Sequence, residues 1–460
     1  MSGRAESRDQ PPLRLAPTAA AADLVAADRR HVWHPYSPPV CHTGPLLIRG
    51  GRGAVLTTAD GEELLDAISS WWVNLFGHAH PRIGAAITDQ AAELEHVLFA
   101  GFSHPPAIRL ASQLAGWLPG DLNRVFFSDN GSTSVEVALK IAWQYWQHRD
   151  QPRRHRIMAF EGGYHGDTVG AMSAGAGSGF FDPWNRQLIP CDLMPWPDTW
   201  LGDDGIEARE QAAWQTIDRF LDRHAGEVAA LIMEPLVQGA AGMRMCRPEF
   251  VARVTTRLQA LDIPVIHDEV MTGFGRTGRM FAHDHCRVVP DMICLSKGLT
   301  GGFLPMGLTV ISDRIADHFD RNQPDEIFCH GHSYTANPLG CAAALATLEL
   351  LEQESVGGDW ARIQSAHRAG LERVIGHRRA VRPRLLGTIA AVELDVPDPG
   401  YDSSTGRQLA SWFREENRLV RDVLLRPLGN VLYLMPPYCM SDEQLQRCWQ
   451  AVDEAVQAVA

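Results

Sequence analysis

The sequence contains no charge-free apolar segment of about twenty residues, the length that a helix needs to cross a bilayer. Its first 23 residues combine Arg, Glu, Asp and Pro with an alanine run, and they lack the apolar block of a signal peptide. We therefore expect no membrane partner, and we interpret residues 1–23 as a disordered tail.

Cysteine is sparse, and basic residues are outnumbered. The nine cysteines of the 460-residue chain include no C-x-x-C pair, so we predict no metal site and a reducing, cytoplasmic location. The 42 Lys and Arg residues stand against 55 Asp and Glu residues, which gives a formal net charge of -13. Because nucleic-acid phosphates require a basic surface, we expect small-molecule partners and no nucleic acid.

The composition is that of an ordinary soluble protein, with 45% hydrophobic and 21% charged residues. Single cores stop growing beyond roughly 250–300 residues, so we expect two packed units. From Gly53 to Ile68 apolar and polar residues alternate around Ala59-Asp60-Gly61, which predicts a hairpin.

After Pro81, helix-length segments alternate with short apolar runs, which predicts a mainly parallel α/β sheet flanked by helices. The runs are RVFFSD (124–129), RIMAFE (156–161), AALIMEP (229–235), PVIHDEV (264–270) and DMICLSKG (291–298). A long helix after Pro338, a strand over 388–394 and a last helix after Ser441 follow. We predict a large domain over 81–337 and a smaller α+β domain formed by 24–80 and 338–460.

Polar residues end these apolar runs, where ligands of open parallel sheets collect. They are Asp129, Glu161, Glu234, Asp268 and Lys297. A lysine amine held in such a pocket can lose its proton and attack an aldehyde to give an imine. The alternative is a lysine that extends to the surface.

Three further features support a cofactor beside Lys297. Asp268 ends the preceding strand, and a carboxylate there can keep the ring nitrogen of pyridoxal phosphate protonated. Small and hydroxyl residues from Ser128 to Ser134 open a helix, which favours either phosphate binding or a plain N-cap. Tyr164 lies at the same sheet edge, either to stack on a ring or to pack in the core.

These motifs together resemble the class III, fold type I aminotransferases, which use pyridoxal phosphate. HDEVMTGFGRTG (267–278), LSKGLTGG (295–302) and SDNGSTSVEVALK (128–140) carry the resemblance, which runs from about Arg30 to the C-terminus. It implies that Lys297 holds the cofactor as a Schiff base and is the catalytic residue. It also implies that Asp268 pairs with the pyridine nitrogen, that Gly131 and Ser132 bind the phosphate, and that Tyr164 stacks on the ring.

Within the class, several segments resemble the branch that converts 8-amino-7-oxononanoate to 7,8-diaminononanoate in biotin biosynthesis. They are WHPYSP (33–38), SSWWVNLFGH (69–78), FGRTG (274–278), HGHSYTANP (330–338) and RPLGNVLYLMPPY (426–438). The resemblance implies that substrate contacts come from Tyr36, Trp71, Trp72, Tyr164, Arg276, Lys297, Gly331, Arg426 and Tyr433. Adjacent aromatic residues of a strand face opposite sides, so one of Trp71 and Trp72 could belong to the core.

The segment Gly331-His332-Ser333 departs from the Gly-Pro-Thr of familiar members that use S-adenosylmethionine. The family implies that His332 and Ser333 contribute to the cofactor site of a neighbouring subunit, so we expect a homodimer. We favour S-adenosylmethionine as the amino donor. A lysine-dependent version of the reaction and another class III ω-amine aminotransferase stay open as alternatives.

Overall fold

A computed structural model of the chain describes residues 21–39, 44–177, 181–319, 327–401, 403–415 and 418–459. The predicted tail lies outside these ranges up to residue 20. Residues 21–23 begin the helix Ala21–His31, so the boundary predicted at residue 23 is wrong. Alanine favours helix, and Asp23 complements the positive helix N-terminus. Within the described ranges, no helix has both the length and the apolar character needed to span a membrane.

The largest sheet contains the strands predicted after Pro81. Its described strands lie in the order Leu122–Ser128, Gly307–Ser312, Met292–Leu295, Val265–Asp268, Val228–Met233, Arg156–Phe160 and Cys191–Met194. The last five of these pair in parallel, whereas Gly307–Ser312 is antiparallel to both neighbours. The predicted mainly parallel sheet is confirmed, and its parallel strands end at one edge.

Both faces of this sheet are covered. Along Val228–Met233, Leu231 and Met233 enter one hydrophobic cluster, whereas Ala230 and Ile232 enter another. Such alternation places core on the two sides of a strand. The longer helices are Ala21–His31, Pro81–Glu93, Pro105–Trp117, Gly131–His148, Ile206–His224, Pro248–Ala260, Pro338–Leu351, Glu354–Val374, Ser404–Phe413 and Asp442–Val459. Shorter helical segments are Ser69–Trp72, Val169–Ala174, Asp182–Trp184, His283–Cys286, Lys297–Thr300, Asp313–Ala316 and Asp317–Phe319.

The smaller sheets join the two ends of the chain. The predicted hairpin is confirmed, since Val55–Thr58 and Glu63–Asp66 pair antiparallel around a turn that contains Gly61 at φ +90°. Ile48–Arg52 extends this sheet on one side, and Val423–Leu424 pairs in parallel with Glu63–Asp66. A third sheet has the order Ala380–Leu386, Ile389–Leu394 and Val431–Leu434. Two-stranded ribbons are Val237–Gln238 with Arg244–Met245, and Arg414–Glu415 with Arg418–Leu419. The domain limits at 80 and 337 stay predictions.

The segment Ser69–Trp72 is an irregular turn, not the strand that the sequence suggested for the tryptophan pair. Ser69, Ser70 and Trp72 have φ of 52°, 60° and 66°, in the left-handed region. Trp71 is exposed and Trp72 is buried. The two indoles do have different surroundings, but a tight turn, not strand alternation, is the reason.

Candidate active site

The helix Gly131–His148 begins beside the carboxyl-end edge of the central sheet. Asn130 caps it, because the Asn130 side chain accepts a hydrogen bond from the Thr133 N–H at 3.0 Å. The Ser132 hydroxyl accepts the Asp167 N–H at 3.1 Å, which leaves its own hydrogen to donate. The segment therefore contains an N-cap at Asn130 and a separate hydroxyl donor at Ser132.

Gly131 allows the helix start to lie close to the segments that carry Asp268 and Lys297 at the sheet edge. A Cβ at this position would lie 2.7 Å from Val270 and 3.6 Å from Ser296. Val270 follows Asp268 by two residues, and Ser296 immediately precedes Lys297. The helix start, Asp268 and Lys297 thus meet at one place, where no side chain fits at Gly131.

Asp268 ends its strand in a buried position. Its Oδ2 accepts a hydrogen bond from His165 Nδ1 at 2.7 Å, and its Oδ1 accepts the Val270 N–H at 3.1 Å. Burial lowers the pKa of His165, but the hydrogen bond and charge of Asp268 outweigh burial and leave that pKa raised. The carboxylate is therefore held from two sides, with lone pairs left for another cationic donor.

Glu234 is a second buried carboxyl group next to this pair. Its oxygens accept the Tyr164 N–H and the Gly239 N–H, each at 3.0 Å. Burial raises the pKa of Glu234 to about 7. Its charge therefore changes near neutral pH, beside His165 and Asp268.

Lys297 lies at the end of the neighbouring strand and is partly buried. Its Nζ lies 5.2 Å from the centroid of the buried Trp72 ring, so the side chain does not extend to the surface. Burial lowers the pKa of this amine, although the charges of Asp268 and Glu234 oppose the change. A lowered pKa increases the neutral fraction, which is the nucleophilic form.

Tyr164 connects this edge to the N-terminal segment. Its hydroxyl lies 3.2 Å from that of Tyr36, and the Tyr36 hydroxyl donates to Asp167 Oδ2 at 2.8 Å. The Tyr164 ring stacks on Phe181 at 6.0 Å between centroids. Tyr36 and Tyr164 are thus brought together, 128 residues apart in the chain.

Tyr36, Trp71 and Arg426 form an aromatic wall with a cation at one side, next to Tyr164. The Tyr36 and Trp71 rings lie 5.7 Å apart. The Arg426 guanidinium lies 4.4 Å from the Trp71 ring centroid, and it donates to the Tyr401 hydroxyl at 3.3 Å. The wall combines apolar surface with a cation, which suits a long aliphatic ligand that has an anionic end.

Trp72 and Tyr433 form the buried part of the same wall. The Trp72 indole N–H donates to the Tyr433 hydroxyl at 2.9 Å, and the rings meet edge to face at 6.2 Å. Both side chains are buried, so packing is one of their functions. Trp72 also faces Lys297, so this pair connects the exposed part of the wall to the amine.

Arg276 lies behind the wall and is almost completely buried. Its terminal nitrogens donate to the carbonyl oxygens of Pro436 at 2.9 Å and Asn74 at 3.0 Å. These bonds brace the segments that carry Trp72 and Tyr433. A direct substrate contact by Arg276 stays a prediction.

The segment Gly331–Ser333 contacts its own turn and His96. The His332 N–H donates to the Thr335 hydroxyl at 3.1 Å, and the Ser333 carbonyl oxygen lies 2.5 Å from His96 Nε2. The His332 ring adds a third contact, since its Nδ1 accepts the Tyr334 N–H at 3.2 Å. The roles of Gly331, His332 and Ser333 toward a cofactor or a substrate stay predictions. Across the described part of the chain, no three His, Cys, Asp or Glu side chains form a group that could hold a metal ion.

Sequence comparison assigns the chain to a family. The model of the family described as aminotransferase class-III matches residues 36–456. The chain belongs to the class III aminotransferases.

Individual members of this class align over nearly their whole length. Adenosylmethionine-8-amino-7-oxononanoate aminotransferase of Synechococcus elongatus is 53% identical, over 93% of this chain and 99% of the relative. The crystal structure of the enzyme of that name from Methanocaldococcus jannaschii has a TM-score of 0.85 at 32% identity, over 95% of this chain and 99% of the other. An amine transaminase from an uncultivated Pseudomonas species, solved with pyridoxal phosphate bound, has a TM-score of 0.84 at 31% identity, over 94% and 99%.

The fold type I architecture and the aminotransferase activity predicted from the motifs are thereby confirmed, and pyridoxal 5'-phosphate is the cofactor of the class. The geometry fits that group in three respects. The start of the helix at Gly131 leaves no room for a side chain, Asp268 retains lone pairs, and Lys297 presents an amine beside both.

Four residues of the site were not assigned a role from sequence. His165 follows Tyr164 directly, and Glu234 ends a predicted strand, but neither position alone indicates a contact with Asp268 or Tyr164. Asp167 and Tyr401 lie in loops. Only their hydrogen bonds to Tyr36 and Arg426 reveal them.

Proposed function

We propose that this aminotransferase converts 8-amino-7-oxononanoate to 7,8-diaminononanoate, with S-adenosylmethionine as amino donor, in biotin biosynthesis. The observation that carries this assignment is the aromatic wall of Tyr36 and Trp71 with Arg426 stacked 4.4 Å from the Trp71 ring. A nine-carbon keto acid needs such an apolar surface with a guanidinium at its far end. The identity to the Synechococcus elongatus enzyme over 99% of its length supports the same substrate.

The cofactor side of the site would hold pyridoxal phosphate through residues of four segments. Gly131 and Ser132 would bind the phosphate with backbone N–H and hydroxyl donors at a helix N-terminus, and Ser333 of a second copy would add a hydroxyl beside His332. Asp268 would hold a proton on the ring nitrogen, and Tyr164 would stack on the ring. The bound cofactor supplies a conjugated ring that accepts the electron pair released at the amine carbon.

Lys297 performs the proton transfers of both half-reactions. Its Nζ, neutral in part because burial lowers its pKa, removes the proton from the amine-bearing carbon of the donor. It later delivers a proton to the carbon that becomes amine-bearing in the product. Trp72 and Tyr433 exclude water from this amine, while Arg426 receives the distant carboxylate in a bidentate manner. Arg276 lies near the substrate, behind the wall.

The decisive experiment supplies the purified holoenzyme with 8-amino-7-oxononanoate and with either S-adenosylmethionine or lysine. Formation of 7,8-diaminononanoate with S-adenosylmethionine is the expected result. If the diamine forms with lysine but not with S-adenosylmethionine, lysine is the amino donor. Lysine is the alternative tested because His332-Ser333 departs from the sequence of familiar members that use S-adenosylmethionine. No diamine with either donor, but turnover of simple ω-amines, assigns the chain to amine transaminases such as its Pseudomonas structural relative.

We also propose that the enzyme is a cytoplasmic homodimer. Large apolar side chains are exposed at Leu98, Phe102, Ile108, Ile327 and Tyr334. Tyr334 directly follows Ser333, and its ring centroid lies 5.3 Å from that of His96, two residues before Leu98, so part of this exposed surface adjoins the segment of Ser333. A second copy covers them and receives Ser333. Sedimentation at micromolar concentration tests this, and a monomer with full activity contradicts it. Cysteines within the described residues are free thiols, which suits a reducing compartment.

A further inference from the structure

Asp66 is a buried carboxylate outside the residues assigned to the chemistry. It ends the strand Glu63–Asp66 and has no exposed surface. Its Oδ2 accepts the Ser70 N–H at 2.7 Å and the Ser70 hydroxyl at 3.2 Å, and its Oδ1 accepts the Ile68 N–H at 3.3 Å. The carboxylate therefore binds the backbone of the turn that carries Trp71 and Trp72.

That turn is strained. Ser69, Ser70 and Trp72 occupy the left-handed region, and Ser70 combines φ 60° with ψ -97°, a conformation that favours glycine. Residues with side chains persist in such conformations only when surrounding contacts hold them. The Ser69 hydroxyl provides one such contact by donating to the Met435 carbonyl oxygen at 2.8 Å.

A hydrogen-bond relay fixes the orientation of Asp66. The Gly77 N–H donates to Asn74 Oδ1 at 2.7 Å, which turns the Asn74 amide nitrogen toward His78 Nδ1 at 3.1 Å. His78 Nδ1 must then accept, so the ring hydrogen is on Nε2 and is donated to Asp66 Oδ2 at 2.9 Å. All donors and acceptors in this relay are matched.

We propose that Asp66, oriented by His78, is a positioning residue that fixes the strained turn and so sets where Trp71 and Trp72 meet the substrate. The inference rests on the proposed function, because Trp71 is taken as the wall for the keto acid. The strain in the turn makes the position of the indoles depend on the carboxylate. Trp72 carries the effect to Lys297, which lies 5.2 Å from its ring.

Asp66→Ala is the direct test, measured on the holoenzyme. We expect KM for 8-amino-7-oxononanoate to rise about tenfold or more, with a smaller loss in kcat, because a small misplacement of a binding wall weakens binding strongly. The absorption band of the lysine-bound cofactor should persist but shift, since Trp72 lies next to that amine. Asp66→Asn should restore most of the KM, since a rotated amide can still accept from Ser70 and His78.

A second variant separates positioning from general stability. Ser70→Gly removes the strain, so adding it to Asp66→Ala should recover at least half of the lost affinity for the keto acid. The matched control is Asp291→Ala, which removes another buried carboxylate that accepts a backbone N–H, at 2.9 Å from Val265. The control should lower the melting temperature and leave KM unchanged.

If Asp66→Ala does not fold, His78→Ala removes the relay but leaves the carboxylate. We expect this variant to raise KM for the keto acid as well, by a smaller factor. An unchanged KM in the folded variants, or no recovery by Ser70→Gly, overturns the proposal. The wild-type assay is read first. A wild type that does not aminate the keto acid refutes the proposed function instead, and the shift of the cofactor band in Asp66→Ala then decides the positioning role.

Discussion

The two sides of the active site are constructed differently. On the cofactor side, Asp268 ends one parallel strand and Lys297 follows its neighbour, and the buried His165 and Glu234 lie beside Asp268. On the substrate side, Trp71 and Arg426 are carried by a turn and a loop, and they retain exposed surface. The sheet side carries the groups that we propose for the reaction chemistry, whereas a turn and a loop carry those that we propose for substrate selection.

This contrast explains why class membership and substrate are separate questions. Enzymes named for different substrates share the fold at TM-scores of 0.85 and 0.84. Changes on the sheet side should therefore affect every substrate equally. Changes on the loop side should affect one substrate and leave the other unaffected.

The largest effect is expected from the sheet side at Lys297. Lys297→Ala should lower turnover of every donor and acceptor by about 10²- to 10⁴-fold or more, because both proton transfers use this amine. The absorption band of the lysine-bound cofactor and its trapping by borohydride should disappear. The sequence contains one other lysine, Lys140, so Lys140→Arg is the matched control and should retain the trapped adduct. Turnover that survives Lys297→Ala refutes the assignment.

On the loop side, Arg426→Ala should raise KM for the keto acid roughly 10- to 100-fold, the value of a lost charge-assisted hydrogen bond of about 1.5–3 kcal/mol. The KM of the amino donor is measured alongside and should stay within twofold, by the same reasoning that loop changes act on one substrate. Arg426→Lys should fall between the two because lysine keeps the charge without the bidentate fork. An equal increase in KM for the keto acid and for the amino donor would contradict the distinction between the two sides.

Glu234 provides a pH test of the buried side. Burial raises its pKa from 4.5 to about 7, so the folded chain keeps a proton that the unfolded chain releases between these values. The stability from this group is fully present below about pH 4.5 and is lost as pH rises through about 7. The melting temperature of cofactor-free protein should fall across that window. Glu234→Gln should flatten the fall, whereas Glu372→Gln, at an exposed position, should not.

The smallest effect is expected at Tyr401, which contacts Arg426 through one hydroxyl. Tyr401→Phe should raise KM for the keto acid roughly two- to tenfold, the value of one neutral hydrogen bond of about 0.5–1.5 kcal/mol. Steady-state kinetics with each substrate varied in turn checks this. A change in kcat without a change in KM would assign Tyr401 to the cofactor side of the active site.

The sheet side could be predicted from sequence because its geometry follows from periodicity. Apolar runs that end in Asp268 and Lys297 predict parallel strands, and parallel strands end at one edge. The helix start was also predictable, since Gly131 and Ser132 follow a strand and open a helix, and their binding of the phosphate stays a prediction. His165 was not, because its bond to Asp268 crosses 103 residues and has no local pattern.

The loop side was predicted only through the family resemblance. Trp71 and Trp72 appeared to be strand residues, whereas the chain makes a strained turn that Asp66 holds through side-chain bonds. Such a turn has no periodicity, and the serines in it are not the glycines that usually indicate positive φ. The contact of Tyr401 with Arg426 could not be predicted either, since the two residues lie 25 positions apart in irregular segments.

The hydrogen bond between Trp72 and Tyr433 connects positions 361 residues apart. The strand Glu63–Asp66 likewise pairs with a strand from the far end of the chain, Val423–Leu424. During synthesis at about 5–20 residues per second, the edge of Glu63–Asp66 that pairs with Val423–Leu424 lacks this partner for roughly 20–70 seconds, although its other edge can pair at once with Val55–Thr58. The contact between Trp72 and Tyr433 therefore forms late in synthesis. A chain that ends before Val423 leaves Trp72 without Tyr433 and leaves one edge of Glu63–Asp66 unpaired, and unpaired strand edges favour aggregation.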